Sequence, residues 1–437
     1  MQSAVLCVLL LGSLGALGRF RNHGPIRRTV EMTDEVAAPC SGNGIPYPDV
    51  GECVCNQCYE GANCHVFQEN CTVSMNYGQP DLLQEYWYTQ RTNVSMIPIP
   101  VYYRSPYQAG YFGEGYVFPP GPLSPNSFSK LSRDLNKAIR AIHAMVGNAE
   151  TDGHYIIVGD GCRELISAAM YAYSTEMNAG PLRWFHRTPY YDGYIAACQG
   201  NDGYCVWDTS YNQTNTTYMV EMSTVPDNPD GRTHPQYYPG SKKLFDLAFY
   251  WPHYTVIDRK LDEELMVFTL TKMSGHASAR FGWALTRSRS LAMGMWMYMF
   301  LNIVEPSVYS QQMALTIFED IIKTKGLMFS WSKNVLMERW GQLQQLFKES
   351  KHFTIESVPG TAFAWIHCNF IPTAKQCVGR FAEYNIQAET GVEFGMQESD
   401  RFIRLSLVVD TPTWAIAFGY LQNLIADHAG PLINTND

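Results

Sequence analysis

Positive charge is scarce in this sequence. Lys and Arg number 32 against 41 Asp and Glu, the formal net charge is −9, and charged residues make up only 17% of the chain. A partner held by its phosphate backbone needs clustered cations, so nucleic acid is excluded as the main ligand. Long apolar runs are scarce too. Residues 4–17 (AVLCVLLLGSLGAL) fall short of the roughly 20 residues that span a bilayer, and suit the core of a signal peptide. The three residues before them carry no basic side chain, which keeps a retained signal anchor as the alternative. Residues 291–301 form a second, shorter apolar stretch that reads as a buried helix. With 46% hydrophobic residues, a disordered chain is excluded as well.

What the chain does have is 12 Cys and 13% aromatic residues in 437 residues, room for two or three folding units. Small residues at 16–18 place a cleavage site after Gly18, giving a signal segment over 1–18 and a linker over 19–37. Sequons at Asn70, Asn93, Asn212 and Asn215 agree with export, as candidate glycosylation sites. A secretory-pathway protein, secreted, vacuolar or retained in the ER lumen, keeps its disulfides.

Six cysteines crowd one glycine- and proline-rich stretch: Cys40, Cys53, Cys55, Cys58, Cys64 and Cys71. Such a segment has too little aliphatic surface to stabilise itself by burial, so cross-links must restrict its unfolded state. Zinc is the rival reading, but paired Cys-x-x-Cys knuckles are missing, and no metal site is expected. Six cysteines allow 15 connectivities, and the sequence leaves them open. Cys198 and Cys205 bracket a turn-rich segment and read as a hairpin staple. Cys368 and Cys377 bracket a proline loop and close it in the same way, which, with Cys7 removed in the signal segment, leaves Cys162 free.

From residue 130 onward the pattern alternates. Apolar residues at helical spacing predict a helix over 131–146, followed by a buried strand over 155–158, a Gly159-Asp-Gly-Cys162 turn and a helix over 163–174. Strand, glycine turn and helix together aim backbone N–H groups at an anion. Thr224-Val-Pro-Asp-Asn-Pro-Asp-Gly231 is a tight loop by turn chemistry. Lys272 follows an apolar strand over 264–270 and opens a small-residue loop that reaches Arg280. Desolvation there lowers a lysine's pKa and makes its amine a nucleophile, although a lysine that merely snorkels to solvent fits equally well. A phosphate-bearing aldehyde cofactor needs this set: a Schiff-base lysine, an arginine for phosphate and an acid for its ring nitrogen.

Taken together, the Thr271-Lys-Met-Ser-Gly-His segment with Arg280-Phe-Gly-Trp, the Asn228-Pro-Asp-Gly loop, and Asp246 ahead of Tyr250-Trp-Pro-His-Tyr254 resemble the alliinase and tryptophan-aminotransferase-related family. The resemblance covers roughly residues 38–425, and the Cys-x-Cys-x-x-Cys run is similar to the EGF-like module of the alliinases. It implies an α/β fold of the fold-type I pyridoxal phosphate class. A small disulfide-rich EGF-like module over 38–73 would precede a doubly wound large domain over 74–305 and a smaller α/β domain over 306–437. It also implies pyridoxal 5'-phosphate as cofactor, an amino-acid substrate and a homodimer, with a partner for the EGF-like module left open.

Residue by residue, the resemblance makes Lys272 the Schiff-base lysine and the base for the Cα proton. Asp246 would hold the pyridine nitrogen, Asn228 the 3-oxygen, and Tyr191 would stack on the ring. Gly161, Cys162, Arg163, Thr271 and Arg280 would hold the phosphate, with Tyr107, or else Tyr111, reaching in from the partner subunit. Arg404 would clamp the substrate carboxylate, although on its own it reads as an edge-strand arginine. Gly78, in Asn76-Tyr-Gly-Gln-Pro80, would close over the substrate. One departure stands out: Phe249 occupies the position of a family tyrosine, and whether Tyr250 substitutes for it is open. Two activities follow. One is C–S lysis of S-alk(en)yl cysteine sulfoxides, which the cysteine module favours; the other is transamination of tryptophan or another aromatic amino acid. A secreted binding protein on the same scaffold is the third reading.

Overall fold

The structure, a computed structural model, describes residues 39–47, 52–90, 133–210, 216–234, 237–303 and 306–427. The signal segment 1–18, the linker 19–37, Tyr107, Tyr111 and the sequons at Asn93, Asn212 and Asn215 lie outside the described residues.

The front module is held by three disulfides, Cys40–Cys53, Cys55–Cys64 and Cys58–Cys71. Between them run two small antiparallel hairpins: β1 (Gly44–Tyr47) with β2 (Glu52–Cys55), and β3 (Tyr59–Glu60) with β4 (Val66–Phe67). Loops closed over 9 to 13 residues each contribute about 3 kcal/mol in the chain-entropy account, which offsets the missing core. The module docks on its own chain. β5 (Val73–Ser74) pairs in parallel with a late strand at Ile386–Gln387, and Gln57 Oε1 accepts a 2.6 Å bond from Ser74 N. Helix α1 (Asp81–Gln90) follows, with Leu82, Leu83, Tyr86 and Trp87 buried.

After the amphipathic α2 (Arg133–Val146), the chain builds a seven-stranded sheet. Its strands are β6 (Tyr155–Gly159), β7 (Leu182–Phe185), β8 (Cys205–Trp207), β9 (Met219–Thr224), β10 (Lys242–Asp246), β11 (Leu265–Thr269) and β12 (Gly282–Thr286). The order is β6-β12-β11-β10-β9-β7-β8; β12 runs antiparallel to both its neighbours and the other pairings are parallel. β6, β11 and β12 are buried at every residue, the pattern of a sheet covered on both faces. The carboxyl ends of β6 and β11 lie beside the amino end of β12, because Gly159 and Thr269 both pair with Gly282, and the carboxyl ends of the parallel strands are where such sheets bind ligands.

Two sequence expectations change here. Cys198 sits in a helix, Gly193–Gln199, and Cys205 opens β8, so their disulfide staples helix to strand and not a hairpin. Tyr194 and Ala197 bury one face of that turn, which an alternation count mistakes for strand. The apolar stretch at 291–301 is a helix, Arg289–Asn302, buried only along Leu291, Ala292, Met295 and Met299; Leu301 is 67% exposed.

The C-terminal part begins with two helices, Val308–Lys323 and Leu327–Phe347. A four-stranded antiparallel sheet follows: β13 (Phe353–Ile355), β14 (Phe363–Cys368), β16 (Glu389–Thr390) and β17 (Phe402–Ser406), in the order β13-β14-β17-β16; β15 (Ile386–Gln387) is the strand that meets the front module. Cys368, ending β14, bonds Cys377 in the helix Ala374–Ala382. No described helix is long and apolar enough to cross a membrane.

Candidate active site

A cavity of about 660 Å³ opens at the carboxyl end of the parallel strands of the seven-stranded sheet, with walls from residues 76–79, on the strap that leads out of the front module, and from the four-stranded sheet. Gly78, Cys162, Arg163, Tyr191, Asn228, Asp246, Thr271, Lys272, Arg280 and Arg404 all line it. Gly161 lies beside it, where an added Cβ would stand 2.8 Å from Arg280 Nη2. Asn70 lies away from it, exposed in the module.

Lys272 is not on a loop. β11 ends in a one-turn helix, Leu270–Ser274, capped by the Thr269 hydroxyl, which accepts from Thr271 N. Gly275 terminates it at φ +83°, and a Cβ there would meet Leu83 at 2.8 Å. The amine donates to Gly78 O at 2.5 Å and stands 5.6 Å from the centroid of Phe249. Burial, and next the neighbouring Arg404 cation, lower its pKa from 10.5 to about 8. The neutral amine therefore dominates above about pH 8. In cofactor-free protein, acylation of Lys272 by trace acetic anhydride should rise about tenfold per pH unit and level off just above that value. Peptide mass spectrometry reads it, and labelling that still climbs at about pH 10, as for an ordinary lysine, would overturn this assignment.

The Trp-Pro-His-Tyr motif works on the backbone of that same residue. Tyr254 Oη donates to Lys272 O at 3.0 Å, and His253 Nε2 lies 3.4 Å from it. Burial pushes His253 down to about 3, so its ring stays neutral against the carbonyl. Tyr250 does not replace the missing tyrosine: its hydroxyl points away, to Arg259 O at 2.9 Å. The Phe249 ring packs edge-on against Phe363 and Tyr254.

Asp246 closes β10 and is 5% exposed. Its Oδ2 accepts from Tyr194 Oη at 2.8 Å, and its Oδ1 accepts from Ala248 N at 3.0 Å and lies 3.6 Å from Cys162 Sγ. Burial raises this carboxyl and those donors pull the other way, with the net shift upward. Thr224 Oγ1, 2.8 Å from Tyr194 Oη, and His186 Nε2, 3.0 Å from Thr224, extend the network. Tyr194 escaped the sequence reading because its partner is 52 residues away; its three-residue spacing from Tyr191 was the available signal.

Gly161, at φ +95°, starts the helix Cys162–Glu176, whose first N–H groups have no partner within the helix. Arg280 crosses this turn, donating from Nη2 to Asp160 O at 2.8 Å. Arg163 Nη2 donates to Tyr191 Oη at 3.0 Å, tying the turn to the aromatic wall.

Arg404 is not an edge-strand residue. β17 lies between β14 and β16, and the side chain is buried over the rings of Phe363 and Phe394, 4.4 and 4.7 Å from their centroids. Its Nη1 donates to Asn228 Oδ1 at 3.0 Å and its Nη2 to Asn76 O at 2.5 Å. Among the described residues its Nε has no hydrogen-bond partner, and neither has Asn76 Oδ1. A buried cation left short of acceptors beside a cavity is poised for an anionic ligand.

These groups fit pyridoxal 5'-phosphate. The donor set offers an amine of lowered pKa, a buried carboxylate for a ring nitrogen, and a helix N-terminus crossed by an arginine. A side chain at Gly161 would fill the space over that turn.

The comparisons agree. Residues 73–425 match the family model described as allinase. Tryptophan aminotransferase-related protein 4 of Arabidopsis thaliana is 29% identical over 435 residues, covering 91% of this chain and 89% of its own length. Alliin lyase of Allium cepa var. aggregatum is 29% identical over 433 residues, covering 90% of this chain and 92% of its own. A Thermus thermophilus aspartate aminotransferase double mutant superposes with a TM-score of 0.58 at 13% identity, over 81% of this chain and 92% of that one, a likeness of fold. With the matched segment spanning both sheets and every wall of the cavity, the chain belongs to the alliinase family and is a pyridoxal phosphate-dependent enzyme.

Proposed function

We propose that this protein is a secretory-pathway C–S lyase that removes the sulfur substituent of S-alk(en)yl-L-cysteine sulfoxides by β-elimination. The observation that carries the reading is a Lys272 amine of lowered pKa and a buried Arg404 on the walls of one cavity, behind a disulfide-rich module. Pyridoxal phosphate, when bound, takes up the electrons left at Cα as its proton departs. Arg404 receives the substrate carboxylate through its two-pronged face and so fixes which way Cα–H points. Lys272, neutral above about pH 8, takes the Cα proton. Asp246 keeps a negative charge near the ring nitrogen, and Gly161, Cys162, Arg163, Thr271 and Arg280 keep the phosphate. Asn228 holds both Arg404 and the cofactor's 3-oxygen, and Gly78, with no side chain, lets the strap lie against Lys272.

The aromatic wall of Phe249, Phe363 and Phe394 favours a second reading, transamination of an aromatic amino acid. Product identity separates the two. Pyruvate and ammonia released from an S-alkyl cysteine sulfoxide support the lyase, and keto-acid-dependent loss of tryptophan supports the transaminase. The working unit in this reading is a homodimer to which the partner contributes an aromatic hydroxyl, and molar mass in solution by light scattering tests it.

Arg404→Lys keeps the charge but loses the planar fork. It should lower kcat/KM by about 10²-fold, mostly through KM, because one buried carboxylate contact is lost. Steady-state kinetics check it, and an unchanged KM would remove Arg404 from carboxylate binding.

A further inference from the structure

The loop that carries Asn228 holds a second cluster. Asp227, Asp230 and His234 place one ligand atom each within 4.8 Å of one another. His234 Nε2 lies 3.4 Å from Asp227 Oδ2 and 3.4 Å from Asp230 Oδ2. None of the three lines the cavity of Lys272, although Asn228 between them does. We propose that Asp227, Asp230 and His234 bind a first-row divalent cation, zinc or manganese(II), which pins the loop under Asn228.

Asp227 is the first support. It is 3% exposed, and neither carboxylate oxygen has a hydrogen-bond partner of sound geometry among the described residues. A buried carboxylate without donors is costly unless it is protonated or a cation sits beside it. Asp230 cannot supply that help, since it carries the same charge; its own Oδ1 accepts from Arg232 N at 2.8 Å, and the Arg232 guanidinium stands 3.9 Å from its Oδ2.

The spacing is the second support. At 3.4 Å both imidazole–carboxylate separations exceed a sound N–H···O hydrogen bond. A tetrahedral site with bonds of about 2.0–2.1 Å separates its ligand atoms by about 3.3–3.4 Å, the spacing of His234 Nε2 from each of the two carboxylates. One imidazole with two carboxylates favours zinc or manganese over calcium, which takes six or more oxygens. The His234 side chain is 20% exposed, leaving a path for the ion and room for a solvent ligand.

Metal-stripped full-length protein, titrated with Mn²⁺ alone and followed by electron paramagnetic resonance, tests the proposal. One Mn²⁺ should bind per chain, show nitrogen modulation from a directly bound imidazole, and be displaced by Zn²⁺. Asp227→Asn and His234→Gln should each weaken binding by at least about tenfold, and His234→Gln should erase the nitrogen signal. Saturating Zn²⁺ should raise Tm by about 2 °C or more in the wild type and in neither variant. A free-Mn²⁺ signal unchanged by the wild-type protein overturns the site, as does one-equivalent binding without nitrogen modulation. Both readings come from the wild type, so a variant that fails to fold does not shelter the proposal. Binding retained in both folded variants also overturns it. None of these outcomes depends on the cofactor or on which amino acid is turned over.

Discussion

Lys272→Ala should lower kcat by at least about 10⁴-fold and leave the fold in place, because in the proposed reaction one side chain serves as both nucleophile and base. The variant loses the 2.5 Å bond to Gly78 O, a half-buried carbonyl on the cavity wall that solvent can reach, at a cost of about 1 kcal/mol. Against that, a cation held in apolar surroundings disappears, and its burial is what lowers the pKa to about 8. The two effects oppose each other, so Tm should move little. Turnover of a cysteine sulfoxide or of tryptophan, with added small primary amines as partial rescue, is the measurement. Activity above one part in about 10² of wild type would show that another group takes the Cα proton.

Asp246→Asn should cost about 10³-fold in kcat, the second-largest effect expected. The amide keeps the size of the carboxylate and accepts from Tyr194, but it brings no negative charge to the ring nitrogen. Tyr194→Phe tests the same point more gently. It removes one 2.8 Å donor and should cost about tenfold, with the pH profile displaced because the Asp246 carboxyl loses a group that holds it down. If Asp246→Asn retains wild-type kcat, the acid is structural. If Tyr194→Phe changes Tm but not the profile, the tyrosine only fills space.

The sequence made the chemistry legible in proportion to how locally it is written. The glycine turn before Cys162, the strand leading to Lys272 and the cysteine cluster are contiguous, and the structure brings the motif residues to one cavity. What escaped was cross-chain. Tyr194 meets Asp246 across 52 residues, and Cys162 meets it across 84. The Tyr250-Trp-Pro-His-Tyr254 motif is visible in the sequence, but that Tyr254 holds the carbonyl of Lys272, 18 residues away, is not. Arg404 looked like an edge residue because a strand's neighbours are set by topology; β14 and β16 flank it, and Phe363 and Phe394 cover it. Asp227 and Asp230 read as turn residues and nothing singles out His234 in the sequence, because their spacing matches no metal motif and their convergence depends on the fold of the loop.

The strap between the front module and the cavity has a consequence for when this enzyme becomes active. Val73 N and Met75 N bond Asn385 O and Gln387 O, and Met75 O accepts from Ser406 N. Immediately beyond, Asn76 O meets Arg404 and Gly78 O meets Lys272. The strap thus leaves Cys71, cross-linked to the buried Cys58, and runs straight to Arg404 and Lys272. If the Cys58–Cys71 cross-link anchors the strap, the oxidation state of the module should set turnover. A chain folded among reductants should build both sheets yet lack a seated strap, and mild reduction should silence turnover before any helix melts.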